Sequence, residues 1–429
     1  MFDPKFIREH AKKIKESMEK RQLDATIVDQ WLEYDKNFRK LKEKIDNLRH
    51  KRNVISEEIN RLKKEGKNEE AEKRIAEIRE LPRKIKELTA KAEEIEKKAL
   101  QLIVKIPNLL GKDVPVGKDE KDNKILREYK PKKFSFEPKG HEELGLALDL
   151  LDIKRAAKTT GARFYFLKNE AVLLDLALQR FALDFLKKKN YIVVEPPFML
   201  RQEPYQKVVL FETFEEMLYK IENEDLYLIA TAEHPLAAYF MNETLEEERL
   251  PIKFAGISPC FRKEAGAHGK DTKGIFRVHQ FNKVEQFIFC KPQDSEHFHE
   301  EMLKNMEQLY KALKIPYRIV LMCSATTGLS AAKQYDIEAW FPAQNCYREV
   351  GSCSNCLDYQ ARSLNIKFIN RKNEKQFVHT LNATAIATQR TIAAILENYQ
   401  QKDGSVLVPK VLQKYCGFKI IKPSKKLKI

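Results

Sequence analysis

The chain has 429 residues, which is enough for two or three domains, and its 43% hydrophobic and 33% charged residues are typical of globular rather than disordered proteins. Lysine and arginine exceed aspartate and glutamate by a formal charge of +16, which favours a polyanionic partner, with a generally lysine-rich proteome as the alternative. The sequence contains no apolar run of membrane-spanning length and no apolar signal core near its N-terminus, so we expect a cytoplasmic protein without membrane segments.

Two amphipathic stripes dominate the first hundred residues. Apolar residues recur at alternating spacings of three and four over residues 31–62, with Arg52 as the one charged residue in the stripe. This is the heptad pattern of a coiled coil. A second stripe covers residues 71–102 and contains one out-of-phase step beside Pro82, where we expect a local kink. Together the stripes predict an antiparallel helical hairpin over about residues 27–102.

The two predicted helices differ in charge. Residues 36–64 contain eleven Lys or Arg against four Asp or Glu, whereas residues 68–98 contain nine of each. A solvated coiled coil usually mixes both signs on both helices. The excess on the first helix therefore predicts a surface for a phosphate backbone, and an ordinary solvated face is the alternative.

The rest of the chain has a different pattern. Residues 111–124 are polar and predict a linker after an N-terminal domain of residues 1–110. From residue 125 to residue 429, helical patterns such as 173–189 alternate with strand patterns, which predicts one large domain of mixed helices and strands. The last ten residues form a basic tail that is equally suited to contacting nucleic acid and to keeping the protein soluble.

Residues 261–287, FRKEAGAHGKDTKGIFRVHQFNKVEQF, combine charges and an aromatic residue in an unusual way. Because side chains alternate along a strand, one face of the second half carries Arg277, His279, Phe281, Lys283 and Glu285. Arg262 and Glu264 share a face upstream, and the glycine-rich stretch between the two halves predicts an antiparallel hairpin with a long loop. Two arginines, two carboxylates and an aromatic plate on one face suit a nucleotide.

A second polar face is predicted near residue 382. Asn382 and Thr384 occupy alternate positions of a short predicted strand, and Arg390 opens a helix with apolar residues at core spacing. An ordinary helix can begin in this way. The presence of the first nucleotide-like face favours a second part of the same site.

Three other motifs give weaker indications. GAHGKD fails the P-loop pattern because two residues rather than four separate its glycines, and no GxGxxG follows a strand. Cys353 and Cys356 have the spacing of half a zinc site, but no second pair completes it. The seven cysteines, scattered without a secretory signal, indicate reduced and mostly buried thiols, with a metal site as the alternative.

Several stretches, taken in order, resemble the signature motifs of the class II aminoacyl-tRNA synthetases, and specifically the seryl-tRNA synthetases. NYIVVEPP, which ends at Pro197, resembles motif 1 at the dimer interface. FRKE…FRVHQFNKVE resembles motif 2, and LNATAIATQR with the following ILENYQQKDGSVLVPKVLQKYCG resembles motif 3 and its extension. Residues 231–233 and 349–355 also match. With the hairpin, the resemblance covers essentially the whole chain.

This resemblance implies a fold and an activity. The fold class is α+β, in which the coiled-coil hairpin precedes a catalytic domain, residues 125–429, with an antiparallel sheet flanked by helices. The implied enzyme is a homodimer that ligates L-serine to tRNA-Ser through seryl-adenylate, with ATP and Mg²⁺ as cofactors and pyrophosphate and AMP as products. Serine charging of tRNA-Sec, where that tRNA is present, is a further expectation. The hairpin is implied to reach across the dimer to the long variable arm of tRNA-Ser.

The resemblance also implies roles for individual residues. Arg262 and Arg390 are the implied catalytic residues, and Glu349 is the implied contact to Mg²⁺ through ATP. The implied ATP site comprises Arg262, Glu264, Arg277, Val278, Phe281, Glu349, Ser352 and Arg390. The implied serine site comprises Thr231, Glu233, Arg262, Glu285, Asn382 and Thr384. The implied tRNA contacts are Arg39, Lys40, Arg49, Lys51, Arg52, Lys63 and Lys64.

Some positions depart from the family pattern. Ala383, Ala385 and Gln389 stand where many members have glycine, and Gly351 stands where serine is common. These changes bear on fine selectivity rather than on the reaction. Three rival functions remain: a ligase that charges a carrier protein, an inactive RNA-binding scaffold, and a coiled-coil nucleic-acid binder. The hairpin disfavours the first, the intact motif residues disfavour the second, and the two polar faces disfavour the third.

Overall fold

The structure is a computed structural model that describes residues 2–131, 133–264 and 273–423, without the side chains of residues 212–213. The glycine-rich part of the predicted loop and the end of the basic tail lie outside these residues. No helix in the described ranges is both long and apolar enough to cross a membrane.

The helices are α1 Pro4–Lys20, α2 Thr26–Lys64, α3 Asn68–Ile78, α4 Leu81–Ile103, α5 His141–Ala147, α6 Ile153–Thr160, α7 Glu170–Lys187, α8 Gln202–Val208, α9 Phe211–Phe214, α10 Glu233–Ala237, α11 Ser295–Leu313, α12 Tyr359–Leu364, α13 Thr388–Tyr399 and α14 Gln413–Cys416. The strands are β1 Lys124–Tyr129, β2 Leu151–Asp152, β3 Phe166–Leu167, β4 Ile192–Val194, β5 Met199–Leu200, β6 Tyr227–Leu228, β7 Thr244–Glu246, β8 Ile252–Phe261, β9 Gln280–Cys290, β10 Tyr317–Leu321, β11 Lys333–Phe341, β12 Cys346–Leu357, β13 Lys367–Ile369, β14 Lys375–Phe377, β15 His379–Ala387, β16 Val406–Leu407 and β17 Ile420–Ile421.

The described residues form two compact units. One consists of residues 2–19 and 23–106, and the other consists of residues 20–22 and the chain from residue 107 onward. The predicted domain boundaries at residues 110 and 124 stay predictions.

The helical unit contains the predicted hairpin. α2 is continuous, the turn is short and centred on Gly66, and the second arm is split into α3 and α4 just before Pro82, so the predicted kink is confirmed. The apolar cluster between the arms includes Ile45, Ile85 and Ala92. Burial of this seam, rather than intrinsic helix propensity, stabilises such long paired helices.

Two features of this unit differ from the sequence prediction. Ile75, which the second stripe assigned to the seam, is exposed on α3, although Ala71 one turn earlier is buried as predicted. The sequence analysis also missed α1. That helix packs beside α2, where Asp35 is buried and accepts a hydrogen bond from Arg8 at 2.8 Å.

The second unit is built on a sheet. Its main sheet has, within the described residues, eight strands in the order β1-β10-β11-β12-β15-β9-β8-β4. All neighbours are antiparallel except β4 and β8, which run parallel. Helices α7, α11 and α13 contribute to an apolar core on one face, where they pack with Val284 and Ile288 of β9. A second cluster on the other face contains Phe287 and Phe289. The predicted fold class is confirmed.

The predicted β-hairpin is present but shorter than expected. β8 pairs with β9 from Ile252 opposite Phe289 to Phe261 opposite Gln280. Arg262, Glu264 and Arg277 therefore lie beyond the paired strands, in the connection. The physical reason is backbone conformation, because Glu264 has φ of +50° and Gly274 has φ of +69°, which extended strands do not adopt.

Two other segments differ from their patterns. The strand-like LYLIATAE contains only the short β6, and its last residue, Glu233, begins α10. The polar segment 111–124 lies against the sheet unit: the Gly111 amide donates to the Ala332 carbonyl at 2.8 Å, and the Gly117 amide donates to Ser324 Oγ at 3.1 Å. Backbone pairing of this kind makes it part of the sheet unit's surface.

Candidate active site

The two arginines of the β8–β9 connection are held in different ways. The Arg262 guanidinium lies over the Phe281 ring, with 5.2 Å from its central carbon to the ring centre, and Nε donates to the Ala230 carbonyl at 3.2 Å. Arg277 pairs with the buried Glu264 at 2.8 Å. Both cations therefore stand beside the aromatic plate, as the sequence predicted.

A third arginine enters from another part of the chain. Arg390 is the third residue of α13, so it lies at a helix N-terminus, where free amides and the helix dipole favour anions. Its Nη1 donates to the Glu349 carbonyl at 3.0 Å and lies 3.3 Å from a Glu349 carboxylate oxygen. Its guanidinium also covers the Phe276 ring at 4.9 Å.

These groups border an open cavity of about 1120 Å³ that lies over β10, β11 and β12. Arg277, Glu349, Ser352 and Arg390 line it. A narrow recess beside it is lined by Glu264, Val278 and Phe281 together with Gln389. A flat recess next to a wide cationic cavity suits a base attached to a polyphosphate.

A second group of polar side chains is largely buried next to Arg262. Thr231 donates to a carboxylate oxygen of Glu285 at 3.2 Å, and Lys283 forms an ion pair with the same oxygen. Thr384 lies directly opposite Glu285 in the pairing of β15 with β9. A carboxylate and two hydroxyls thus converge on one small volume.

Glu233 is the second carboxylate of this region. Its Oε1 accepts hydrogen bonds from Asn382 Nδ2 at 3.1 Å and from Gln360 Nε2 at 3.0 Å. Burial, reinforced by the charge of Glu285, raises the pKa of Glu233 to about 7. The two groups that donate to Glu233 are neutral amides. Near neutral pH the Glu233 carboxylate can therefore pair with a cation that binds in the site.

The pKa values of two carboxyl groups that line the open cavity are shifted in opposite directions. Burial raises the pKa of Asp336 well above its usual value, and the charge of Glu349 adds to this. The enclosing protein also tends to raise the pKa of Glu349, but the guanidinium groups of Arg390 and Arg262 outweigh it and lower that pKa. Glu349 is therefore the ionised member of the two.

Comparison with known proteins identifies the family. Residues 1–110 match the family model described as the seryl-tRNA synthetase N-terminal domain, and residues 213–399 match the class II core domain model for the G, H, P, S and T synthetases. A serine–tRNA ligase of Methanospirillum hungatei is 50% identical over 98% of this chain and 99% of its own length. The chain belongs to the seryl-tRNA synthetase family.

Solved structures agree with this family. The seryl-tRNA synthetase of Pyrococcus horikoshii, solved with ATP, has a TM-score of 0.91 at 47% identity and covers 99% of this chain and 100% of its own. The cytoplasmic serine–tRNA ligase of Naegleria fowleri, solved with AMP, has a TM-score of 0.83 at 39% identity, with 97% and 96% coverage.

The structure brings the predicted ATP and serine residues of this synthetase together around one site. They come from the β8–β9 connection, β9, the start of α10, β12, β15 and α13. Their individual roles stay predictions. The predicted tRNA contacts belong to α2 of the other unit, where six of the seven side chains are exposed and Arg52 is half-buried beside Asn53.

The residues present fit a magnesium ion bound through a nucleotide. Mg²⁺ is usually held by one or two carboxylates plus substrate phosphate oxygens. Glu349 supplies an ionised carboxylate, and Ser352 lines the same cavity. Among the described residues, no group of three or more His, Cys, Asp or Glu side chains is placed to hold a metal by itself.

The departures from the family pattern have structural explanations. Ala383 and Ala385 are fully buried in β15. Gln389 accepts a hydrogen bond from the Asn282 amide at 2.8 Å and donates to the buried Asp175 of α7 at 3.1 Å. A β-carbon at Gly351 would lie 2.9 Å from Cβ of Thr384, so the glycine leaves room for a predicted serine contact.

Sequence reasoning missed three residues near the site. Lys283 was placed on the correct face but given no role, although its position two residues before Glu285 was a usable signal. Gln360, which holds Glu233, lies in α12, and no local pattern marks it. Phe276, whose ring lies under the Arg390 guanidinium, begins the second part of the motif 2 stretch but was given no role.

The CxxC motif is buried in β12. Cys353 Sγ donates to the His299 carbonyl at 3.7 Å, and Cys356 Sγ accepts from Asn382 Nδ2 at 3.6 Å. Burial raises the pKa of both thiols. Cys356 thus packs behind a predicted serine contact as a neutral group.

Proposed function

We propose that this protein activates L-serine with ATP and transfers the seryl group to tRNA-Ser. The observation that carries the proposal is the convergence of Arg262, Arg390 and Phe281 with the half-buried Glu233 and the buried Glu285, in a member of the seryl-tRNA synthetase family. Charging of tRNA-Sec and a cytoplasmic location stay predictions.

In the first step, a serine carboxylate oxygen attacks the α-phosphorus of ATP, and the bond to the departing pyrophosphate breaks. Arg262 lies between the aromatic plate and the buried carboxylates, so it can hold both the α-phosphate and the serine carboxylate. Arg277 and Arg390 line the wide cavity and can hold the terminal phosphates. Preorganised cations of this kind stabilise the charge that develops during phosphoryl transfer. Mg²⁺, bound by Glu349, would supply further charge neutralisation.

In the second step, a terminal hydroxyl of tRNA attacks the carbonyl carbon of seryl-adenylate, and AMP leaves. The serine side of the site gives a reason for substrate choice. Glu233 has the geometry for the ammonium group, while Glu285 and Thr384 can bond the hydroxyl. Alanine would leave those buried groups unpaired, whereas threonine has to be refused by lack of room, which discriminates by only roughly 1–3 kcal/mol.

We further propose that α2 binds the tRNA. Its predicted contacts are exposed cations such as Lys40, Lys63 and Lys64, and removing phosphate contacts weakens binding and reduces its salt dependence. A variant with Lys40, Arg49, Lys63 and Lys64 changed to alanine should raise the KM for tRNA at least about tenfold. The matched control changes Lys84, Lys86, Lys91 and Lys97 of α4. Equal effects of both variants would contradict a specific role for α2.

We propose that the protein forms a homodimer in which the second copy binds at motif 1. Leu173 and Leu176 of α7 and Ile192 and Val193 of β4 are all between 45% and 56% exposed. Apolar side chains concentrated on a helix and an adjacent edge strand are typical of an interface. Sedimentation of the full chain should give a dimer, and changing Leu176 to aspartate should give a monomer.

The test of the reaction combines two assays. ATP–pyrophosphate exchange is measured with serine, alanine, threonine and cysteine, and transfer of labelled serine to total tRNA is measured in parallel. We expect exchange and transfer with serine alone. Exchange without transfer would indicate a carrier-protein ligase, and no exchange with any amino acid would indicate a scaffold.

A further inference from the structure

A buried histidine outside the predicted site contacts the segment that carries Phe276 and Arg277. His141 begins α5, and only 8% of its side chain is exposed. The Ile275 amide donates to His141 Nε2 at 3.3 Å. Gly274, immediately before, has φ of +69°, and a β-carbon there would lie 2.2 Å from His141 Nε2. The backbone thus passes directly against the imidazole.

The hydrogen bonds define the protonation of the ring. An imidazole nitrogen that accepts from an amide carries no proton. The proton of a neutral His141 therefore lies on Nδ1, which is 2.9 Å from Oε1 of Glu397. Glu397 is fully buried, and its other oxygen accepts from the Ala343 amide at 3.2 Å. A carboxylate partner of this kind fixes both the tautomer and the orientation of a histidine.

Glu397 and Arg390 belong to the same helix. Arg390 Nε, at the start of α13, donates to the Phe276 carbonyl at 3.4 Å, and its guanidinium covers the Phe276 ring. Glu397, two turns later, holds the same segment through His141 and Ile275. Helix α13 thus contacts residues 274–277 at two points, directly through Arg390 and indirectly through Glu397 and the His141 imidazole.

We propose that His141 is a positioning residue for ATP, which rests on the proposed function. By accepting the Ile275 amide it fixes Phe276, whose carbonyl and ring orient Arg390, and it fixes the neighbouring Arg277. His141 lies outside the nucleotide cavity and its narrow recess, so its effect is exerted through these residues.

Two amide variants separate the two bonds of the imidazole. A glutamine side chain reaches about as far as Nε2 and can accept from Ile275, whereas an asparagine side chain reaches about as far as Nδ1 and can bond only Glu397. ATP–pyrophosphate exchange of the full-length protein gives KM for ATP, KM for serine and kcat. We expect His141→Asn to raise KM for ATP at least about fivefold with KM for serine within twofold, and His141→Gln to stay within about twofold of wild type for both.

The thermal unfolding midpoints of both variants are measured alongside. Equal KM values for ATP in the Asn and Gln variants would overturn the positioning role. A KM for ATP in His141→Asn that matches wild type would do the same, as would a rise in its KM for serine as large as the rise in its KM for ATP. Absence of serine-dependent exchange in the wild-type protein would instead overturn the proposed function.

Discussion

The nucleotide side and the serine side of the site are built on opposite principles. The proposed nucleotide side is an open cavity lined, among the described residues, by four guanidinium groups, including those of Arg277 and Arg390, and by four carboxylates, including that of Glu349. The serine side is buried, and its carboxylates are tied to neighbouring side chains of the protein. An open cationic cavity holds any triphosphate, whereas buried and partnered groups penalise a ligand that fails to match them. We therefore expect the nucleotide side to hold the phosphates and the serine side to determine the choice of amino acid.

Arg262 adjoins both sides, so its loss should have the largest effect. Changing Arg262 to alanine should reduce serine-dependent pyrophosphate exchange by about 100- to 1000-fold or more, because it removes a preorganised cation at the reacting centre. Binding of tRNA, measured by filter retention, should change little. The neighbouring Lys263, which lies over the Tyr219 ring instead, is the matched control. Normal exchange in the Arg262 variant would contradict its assigned role.

Replacing Thr384 with valine tests the selective side. The shape is kept but the hydroxyl opposite Glu285 is lost. Loss of one hydrogen bond to a buried site should reduce discrimination between serine and alanine by about 10- to 100-fold, without changing KM for ATP. Thr391, whose hydroxyl bonds the Ala387 carbonyl at 2.9 Å, provides the control when changed to valine. Unaltered discrimination would remove Thr384 from the serine site.

The raised pKa of Glu233 predicts a pH dependence confined to serine. Below pH 7 the carboxyl is mostly protonated and loses its attraction for the serine ammonium, which stays charged over this range. KM for serine should therefore rise about tenfold between pH 8 and pH 6, while KM for ATP follows a flatter profile. Changing Glu233 to glutamine should abolish this dependence. A parallel rise in both KM values would show that the effect belongs to the whole site.

Gly351 should give the smallest effect. A β-carbon there would meet Thr384 at 2.9 Å and Met306 at 3.1 Å, so Gly351→Ala should push Thr384 toward the substrate. Overpacking of this size should raise KM for serine about 5- to 10-fold. Gly140, around which there is open space, is the control for the same substitution. A change in KM for ATP alone would mean that the strain is relieved elsewhere.

The two units of the molecule could be predicted from the sequence by different kinds of signal. The hairpin could be predicted because a heptad stripe repeats one local rule many times, and the rule failed only at Ile75, in the short helix that precedes the break before Pro82. The site residues were predicted through motifs and family resemblance, and their roles stay predictions. The pairing of Arg277 with Glu264 was not predicted, because neither residue lies in a strand and the contact depends on the conformation of the connection.

The supporting contacts were not predictable in this way. Gln360 reaches Glu233, and His141 reaches Ile275, across more than a hundred residues of chain. Such contacts depend on how the elements pack, which no local period encodes. The role of Gly351 shows the same limit, because its reason is a side chain on a neighbouring strand.

The close contact between Gly351 and Thr384 has a consequence for hybrids between family members. The family pattern used in the sequence analysis implies a serine in place of Gly351 in other members, and such members would need room for a β-carbon that the position of Thr384 excludes here. A segment around residue 351 taken from such a member would carry a side chain shaped for another neighbour. Replacing β12 alone with the strand of such a member should therefore impair serine binding. Replacing β12, β15 and α11 together should preserve it.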